Sequence, residues 1–227
     1  MSAKEIVVSA TERLFNQKDL TVVDEVFGPV YVQHSALGSD GVEGLKGLVG
    51  RLPGSSGYEL VRVIADGELV VTEGVFTGFA PVPLTGYDVW RVVDGRVVEH
   101  WDALGPGAAH STADSPAQVS PVEVAASKAL VAEWAEKVLV GGDRTVAPTY
   151  LSADGDGVGV EYDQAISYVA IHAVIAEGDL VYTRAEGELD GPVIVNDIWR
   201  VEGTKIVEHW GLVVPVPKEF PHANGAF

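Results

Sequence analysis

The sequence predicts an α+β fold built twice in tandem, and three observations carry that prediction. A long motif recurs at constant spacing, helical periodicity precedes strand periodicity in each copy, and a stretch rich in Gly, Pro, Ser and Ala separates the copies. The motif reads DVWRVVDGRVVEHWD from Asp88 to Asp102 and DIWRVEGTKIVEHWG from Asp197 to Gly211, in unbroken alignment. Upstream, RVIADGELVVTE and AVIAEGDLVYTR each read as a strand, a tight acidic-Gly turn and a second strand.

The elements follow in order. Ser2 and Glu5 form a capping box before Ile6, Val7, Ala10 and Leu14, which recur at helical spacing. A short helix, a polar turn and a third helix over 41–51, introduced by Ser39-Asp40-Gly41, come next. Alternating apolar runs then predict antiparallel strands at about 58–65, 68–77, 86–93 and 96–104. The stretch 105–121 has no apolar periodicity, and a new helix starts where Ser120-Pro121 is followed by Glu123, with Val124, Leu130, Val131, Trp134, Val138 and Leu139 behind it. The expected division is a first domain over 1–106, a linker over 107–120 and a second domain over 121–227. Helices held in a curved sheet make a cone with one open, apolar mouth, a common place for a small molecule.

Composition narrows the partners. With 15 Lys plus Arg against 33 Asp plus Glu the formal charge is −18, a field that repels nucleic acid and anionic membrane surfaces. The absence of Cys removes disulfides, thiolate metal sites and a cysteine nucleophile. The opening MSAKEIVVSATERLF lacks the basic start and unbroken apolar run of a signal peptide, and no apolar stretch is long enough to span a bilayer. A cytoplasmic location is the expectation.

The hairpin 86–104 carries the sharpest chemistry. If the Asp94-Gly95 turn is a bulged or three-residue loop, Asp88, Trp90, Val92, Val98, His100 and Asp102 share one face, with Val89, Arg91, Val97, Glu99 and Trp101 on the other. A strict two-residue turn breaks that grouping by one residue. On the shared face two carboxylates and an imidazole sit beside an indole. Crowding and burial can then raise one carboxylate pKa while the other stays ionised, which suits proton transfer.

Tyr31-Val-Gln33-His34, Ser39-Asp40-Gly41-Val-Glu43-Gly44-Leu45, Asp88-Val-Trp-Arg-Val and Asp94-Gly95 through Glu99-His100-Trp101-Asp102 resemble the SnoaL-like polyketide cyclases of the nuclear transport factor two-like superfamily. The segment from Pro215-Val-Pro217 to Ala223-Asn224-Gly225-Ala-Phe227 looks like the end of tandem members of that group. The resemblance implies two cone-shaped α+β barrels and a cofactor-independent, metal-free site. It makes Asp102 the general acid/base that draws a proton from an activated carbon for intramolecular ring closure, with Asp88 as its partner. Fold likeness alone leaves the reaction open among cyclases, isomerases and epoxide hydrolases.

His34 and His100 complete the expected catalytic set, and Tyr31, Gln33, Tyr87 and Trp90 are the expected substrate-binding side chains, packing with a polar tip. Only the first copy holds both His34 and Asp102, because Ala153 and Gly211 occupy the matching places. His209 and Asp197 persist in the second copy, so His100 and Asp88 also have a structural reading. Arg91 with Glu99, and Arg200 with Glu208, are expected to pair across their hairpins beside Trp101 and Trp210, and the two sheets are expected to meet as an intramolecular pseudo-dimer. Pairing of two chains stays open. The expected partner is a small apolar substrate. Two alternatives stand beside the enzyme: a non-catalytic binding protein using the same pocket, and a metal site built from His34, His100, Asp88 and Asp102, whose pattern is no specific zinc or iron signature.

Overall fold

A computed structural model describes residues 1–106, 115–152 and 165–227. The chain divides into two compact units, residues 1–114 with 216–227, and residues 115–215. The expected second domain, 121–227, therefore differs from the observed unit at its far end. After Pro215 the chain returns to the first unit, where the side chains of His222 and Asn224 and the Gly225 carbonyl find hydrogen-bond partners. Residues 107–114 of the expected linker lie outside the described residues, as does Ala153.

In the first unit α1 (Ala3–Thr11) starts at Ser2, whose hydroxyl accepts from the Glu5 N–H while the Glu5 carboxylate accepts from the Ser2 N–H. It continues into a π-helical turn (Glu12–Asn16). Then follow α2 (Thr21–Val26), β1 (Phe27–Gln33), α3 (Gly41–Arg51), β2 (Gly57–Asp66), β3 (Leu69–Thr77), β4 (Leu84–Val93) and β5 (Arg96–Gly105). The sheet order is β1-β5-β4-β3-β2, antiparallel except for the parallel pair β1 and β5. The strand β1 did not show in the pattern of the sequence. Its run Phe-Gly-Pro-Val-Tyr-Val-Gln contains a Gly-Pro break, and a strand paired only along one edge tolerates the missing proline N–H. The core lies between the sheet and the helices, with Ile6, Leu14, Leu45, Val70, Phe76, Trp90 and Val97 all buried.

The second unit opens at Ser120 with the same capping box, in front of α4 (Pro121–Trp134). A π-helical turn (Ala135–Val140), a 3-10 turn (Arg144–Val146) and α5 (Ala147–Tyr150) lead to β6 (Ser167–Glu177), β7 (Leu180–Glu188), β8 (Pro192–Glu202) and β9 (Lys205–Pro215), antiparallel in that order. Among the described residues, where the first unit has β1 the second has an isolated parallel bridge between Leu151 and Ile206. No helix among the described residues is long and apolar enough to cross a membrane.

The register of the β4–β5 hairpin reconciles the two sequence alternatives. The turn is a strict two-residue one, Asp94 (φ 49°) and Gly95 (φ 76°), both left-handed as a hairpin matching the sheet twist requires. A bulge between the Arg91 and Val92 pairs then shifts the register by one. Asp88 thus faces Asp102, Trp90 faces His100, and Val92 faces Val97. Val97, and not the expected Val98, joins the buried inner face, because the extra residue in β5 is Val98 itself.

Candidate functional site

The inner face of β4 and β5 places Asp88, Trp90, His100 and Asp102 around a small cavity. Gln33 and Ser35 join them because β1 runs parallel to β5 and sets Gln33 beside His100. The apolar wall is Phe15, Leu37, Leu45, Leu48, Phe76, Phe79 and Leu104, contributed by the helices, β3, β5 and the loops beside them. Water finds about 20 Å³ there, room for one molecule.

Donor accounting fixes much of the polar floor. The Ser35 N–H donates to Gln33 Oε1 (3.0 Å), and because an amide N–H cannot accept, this orients the Gln33 side chain. The same Oε1 lies 2.8 Å from His100 Nδ1, so that ring nitrogen carries the proton. Gln33 Nε2 then donates to the Tyr31 hydroxyl (3.2 Å). With Nδ1 protonated, the contact between His100 Nε2 and Asp88 Oδ1 (3.1 Å) holds one further proton, on the ring or on the acid. His100 stacks on Trp90 with ring centroids 3.9 Å apart, and the Trp90 indole N–H donates to Thr72 Oγ1 (3.2 Å). Asp88 and His100 are buried, whereas Asp102 is half-buried. Ligand atoms of Asp88, His100 and Asp102 lie within 4.8 Å of one another, a set that could also hold a cation.

The remaining expected site residues separate. Tyr31 sits in the core edge-on to Phe27 (5.2 Å); burial, then the Asp102 and Asp88 charges, push its phenol well above the usual range. It backs the polar floor through Gln33 and does not line the cavity. Tyr87 alternates with Asp88 along β4 and is buried on the opposite face of the sheet, away from the cavity, because successive strand residues point to opposite sides. His34 is also not brought to the Asp88 cluster. Its Nε2 lies 3.1 Å from Glu99 Oε1, its Nδ1 lies 3.1 Å from Gly225 O, and its ring stacks on Trp101 (4.8 Å, 10°). One residue beyond Gln33 on the same extended chain, it takes the other face. The Arg91–Glu99 pair (2.9 Å) and the Arg200–Glu208 pair (2.6 Å) form on that face of their sheets as their spacing implies.

Sequence reasoning missed Ser35, Leu37 and the aromatic wall. Phe15 and Phe76 read as ordinary core at their helix and strand spacing, and nothing in one sequence distinguishes core from cavity wall.

The second unit keeps the same Asp–His pair on its scaffold. His209 Nε2 lies 2.8 Å from Asp197 Oδ1, the Tyr168 hydroxyl donates to Asp197 Oδ2 (3.0 Å), and His209 stacks on Trp199 (4.1 Å). At Gly211, facing Asp197, an added Cβ would come within 2.8 Å of Asp197 Oδ1 and 3.2 Å of His209 Nε2. Gly211→Asp is therefore expected to destabilise by about 1–3 kcal/mol, as overpacking does. Thermal melting checks this, and an unchanged midpoint would show that room for the acid remains.

No curated protein matches the chain. Among solved structures, IdmH, a putative polyketide cyclase from Streptomyces antibioticus, is 22% identical over 46% of this chain and 92% of its own, with a TM-score of 0.40. An LEH-like epoxide hydrolase of M. tuberculosis is 26% identical over 45% of this chain and 82% of its own, with a TM-score of 0.39. An NTF-2 like protein of unknown function from Burkholderia xenovorans is 18% identical over 48% and 88%, with a TM-score of 0.41. The model of the SnoaL-like domain matches residues 8–100, which span β1 to β4 and reach His100 in β5. Residues 8–100 of the first unit are thus similar to a SnoaL-like domain.

Proposed function

We propose that the first unit is a general acid/base enzyme acting on a small, largely apolar carbonyl compound, with ring closure of a polyketide-like chain as its reaction. The observation that carries this reading is the half-buried Asp102 carboxylate facing a buried Asp88–His100 pair that holds a proton, at the foot of an apolar wall. Asp102 takes a proton from the carbon next to a carbonyl, and the C–H electron pair moves to the carbonyl oxygen as an enolate. The enolate carbon then attacks a second carbonyl of the same chain, forming the C–C bond, and the new alkoxide takes back a proton from the Asp102 acid or the Asp88–His100 pair. A dry wall strengthens each of these electrostatic contacts. Gln33 and Trp90 orient His100 by hydrogen bond and by stacking.

A second reading has its own observation. Space for one water beside two carboxylates suits activation of that water against an epoxide. Ligands of ordinary size need roughly 300–1,000 Å³, so in the ring-closure reading entry displaces wall side chains, and the exposed Leu37 at the mouth is the first of them.

The test is a panel of poly-β-carbonyl esters and of small epoxides, incubated with the wild-type protein and with Asp102→Asn, with products separated by mass. Cyclised products dependent on Asp102 support ring closure, and diols dependent on Asp102 support hydrolysis. Ligand binding with identical product profiles from both proteins leaves a non-catalytic binding protein. Dialysis against EDTA is expected to leave the rate unchanged, and loss of rate restored by a divalent cation would move Asp88, His100 and Asp102 to metal ligation.

A further inference from the structure

We infer that residues 222–225 form a strap that positions the site from behind, by holding the backbone of residues 33–35 and through it the proton on His100. This rests on the proposed role of the Asp88–His100 pair. The strap meets three consecutive residues. Asn224 Nδ2 donates to Gln33 O (2.9 Å), His34 Nδ1 donates to Gly225 O (3.1 Å), and His222 Nε2 donates to Ser35 O (2.9 Å). Asp40 Oδ1 ties the arrangement together, accepting from the Gln33 N–H (2.9 Å) and from Asn224 Nδ2 (3.0 Å). The Gln33 N–H, then the Asn224 side chain, hold the Asp40 carboxyl below its ordinary range, which keeps it an acceptor.

The residues held from one side by the strap serve the site from the other. Gln33 and Ser35 line the cavity, and the Ser35 N–H bond to Gln33 Oε1 is what directs that oxygen at His100 Nδ1. No residue of 216–227 lines the cavity, and the bonds of the strap reach the site through 33–35. His34 belongs to this clasp. Its two ring nitrogens face a backbone carbonyl and the Glu99 carboxylate, and only the doubly protonated ring donates to both. Glu99 is itself shared with Arg91, Trp101 stacks on the ring, and β5 supplies the remaining partner through the His34 N–H bond to His100 O (2.9 Å). Asn224, His222 and His34 are positioning residues in this account.

The test is the nitrogen NMR signature of His100 in the uniformly 15N-labelled full chain, assigned by its loss in His100→Gln. Wild-type protein is expected to show His100 with Nδ1 protonated, and a wild-type ring with bare Nδ1 overturns the inference at once. Asn224→Ala removes the donor to Gln33 O and is expected to lose the Nδ1-protonated signature while far-ultraviolet dichroism stays unchanged. His222→Leu, which removes the donor to Ser35 O together with the Nδ1 acceptor of the Asn224 N–H, is the second variant and is expected to shift the signature in the same direction. Both side chains are partly exposed, so neither is a core position. An unchanged His100 signature in both folded variants overturns the strap and leaves the acid/base reading intact. Failure of Asp102→Asn to alter any product overturns that reading and leaves the strap intact.

Discussion

Asp102→Asn is expected to lower turnover by about 10²–10⁴-fold, the contribution of a positioned general acid/base. The substitution keeps shape and removes the only carboxylate of the cluster that is half-exposed to the cavity, while Asp88 stays buried in its contact with His100. The fold should survive, because Asn fits the same volume at a strand position whose backbone bonds are unchanged. Asp197→Asn is the matched control. Asp197 is buried and shared by His209 and Tyr168, so exchanging an acceptor for a donor there is expected to cost about 1–3 kcal/mol of stability and no turnover. Initial rates on whichever compound the panel identifies, with melting curves for both variants, check the pair. Equal loss of rate from both substitutions would sink the single-site account.

Glu73→Ala is expected to destabilise the protein by about 3–5 kcal/mol, the largest stability effect anticipated. Arg62 and Glu73 are direct partners across β2 and β3, and their side chains meet at 2.5 Å with 1% exposure on each. They lie on the face of the sheet turned away from the helices, opposite Val70 and Thr72. Deleting one member leaves the Arg62 guanidinium buried without this carboxylate, and less of the desolvation already incurred is offset. Replacing both by apolar residues of similar volume, Arg62→Met with Glu73→Leu, is expected to be neutral or stabilising by about 1–4 kcal/mol. Denaturant titration of the single and double variants decides it, and a Glu73→Ala loss below about 1 kcal/mol would contradict the burial argument.

Local rules were enough for most elements. The capping boxes at Ser2 and Ser120, the helix 41–51 and four of the five strands of the first unit, β2 to β5, stand within one or two residues of where caps, periodicity and turns placed them. These features are legible because each depends on neighbours within a few positions of the chain. The strand β1 was not, since its pairing with β5 is parallel and joins residues far apart.

The site divides along the same line. The sequence by itself determined the duplication and the α+β class, and it offered the shared face of Asp88, Trp90, His100 and Asp102 under one of two turn geometries, because strand alternation is a local property. It could not separate a two-residue turn from a bulged one, and the structure contains both, so that their effects on register combine. Tertiary structure alone decided that His34 turns away from the cluster and that Gln33 fixes the proton on His100. It alone brought residues 222–225, nearly the whole chain away, behind the site. The physical reason is that hydrogen bonds of this kind carry no periodicity; they are set by where distant backbone groups come to rest once the core has packed.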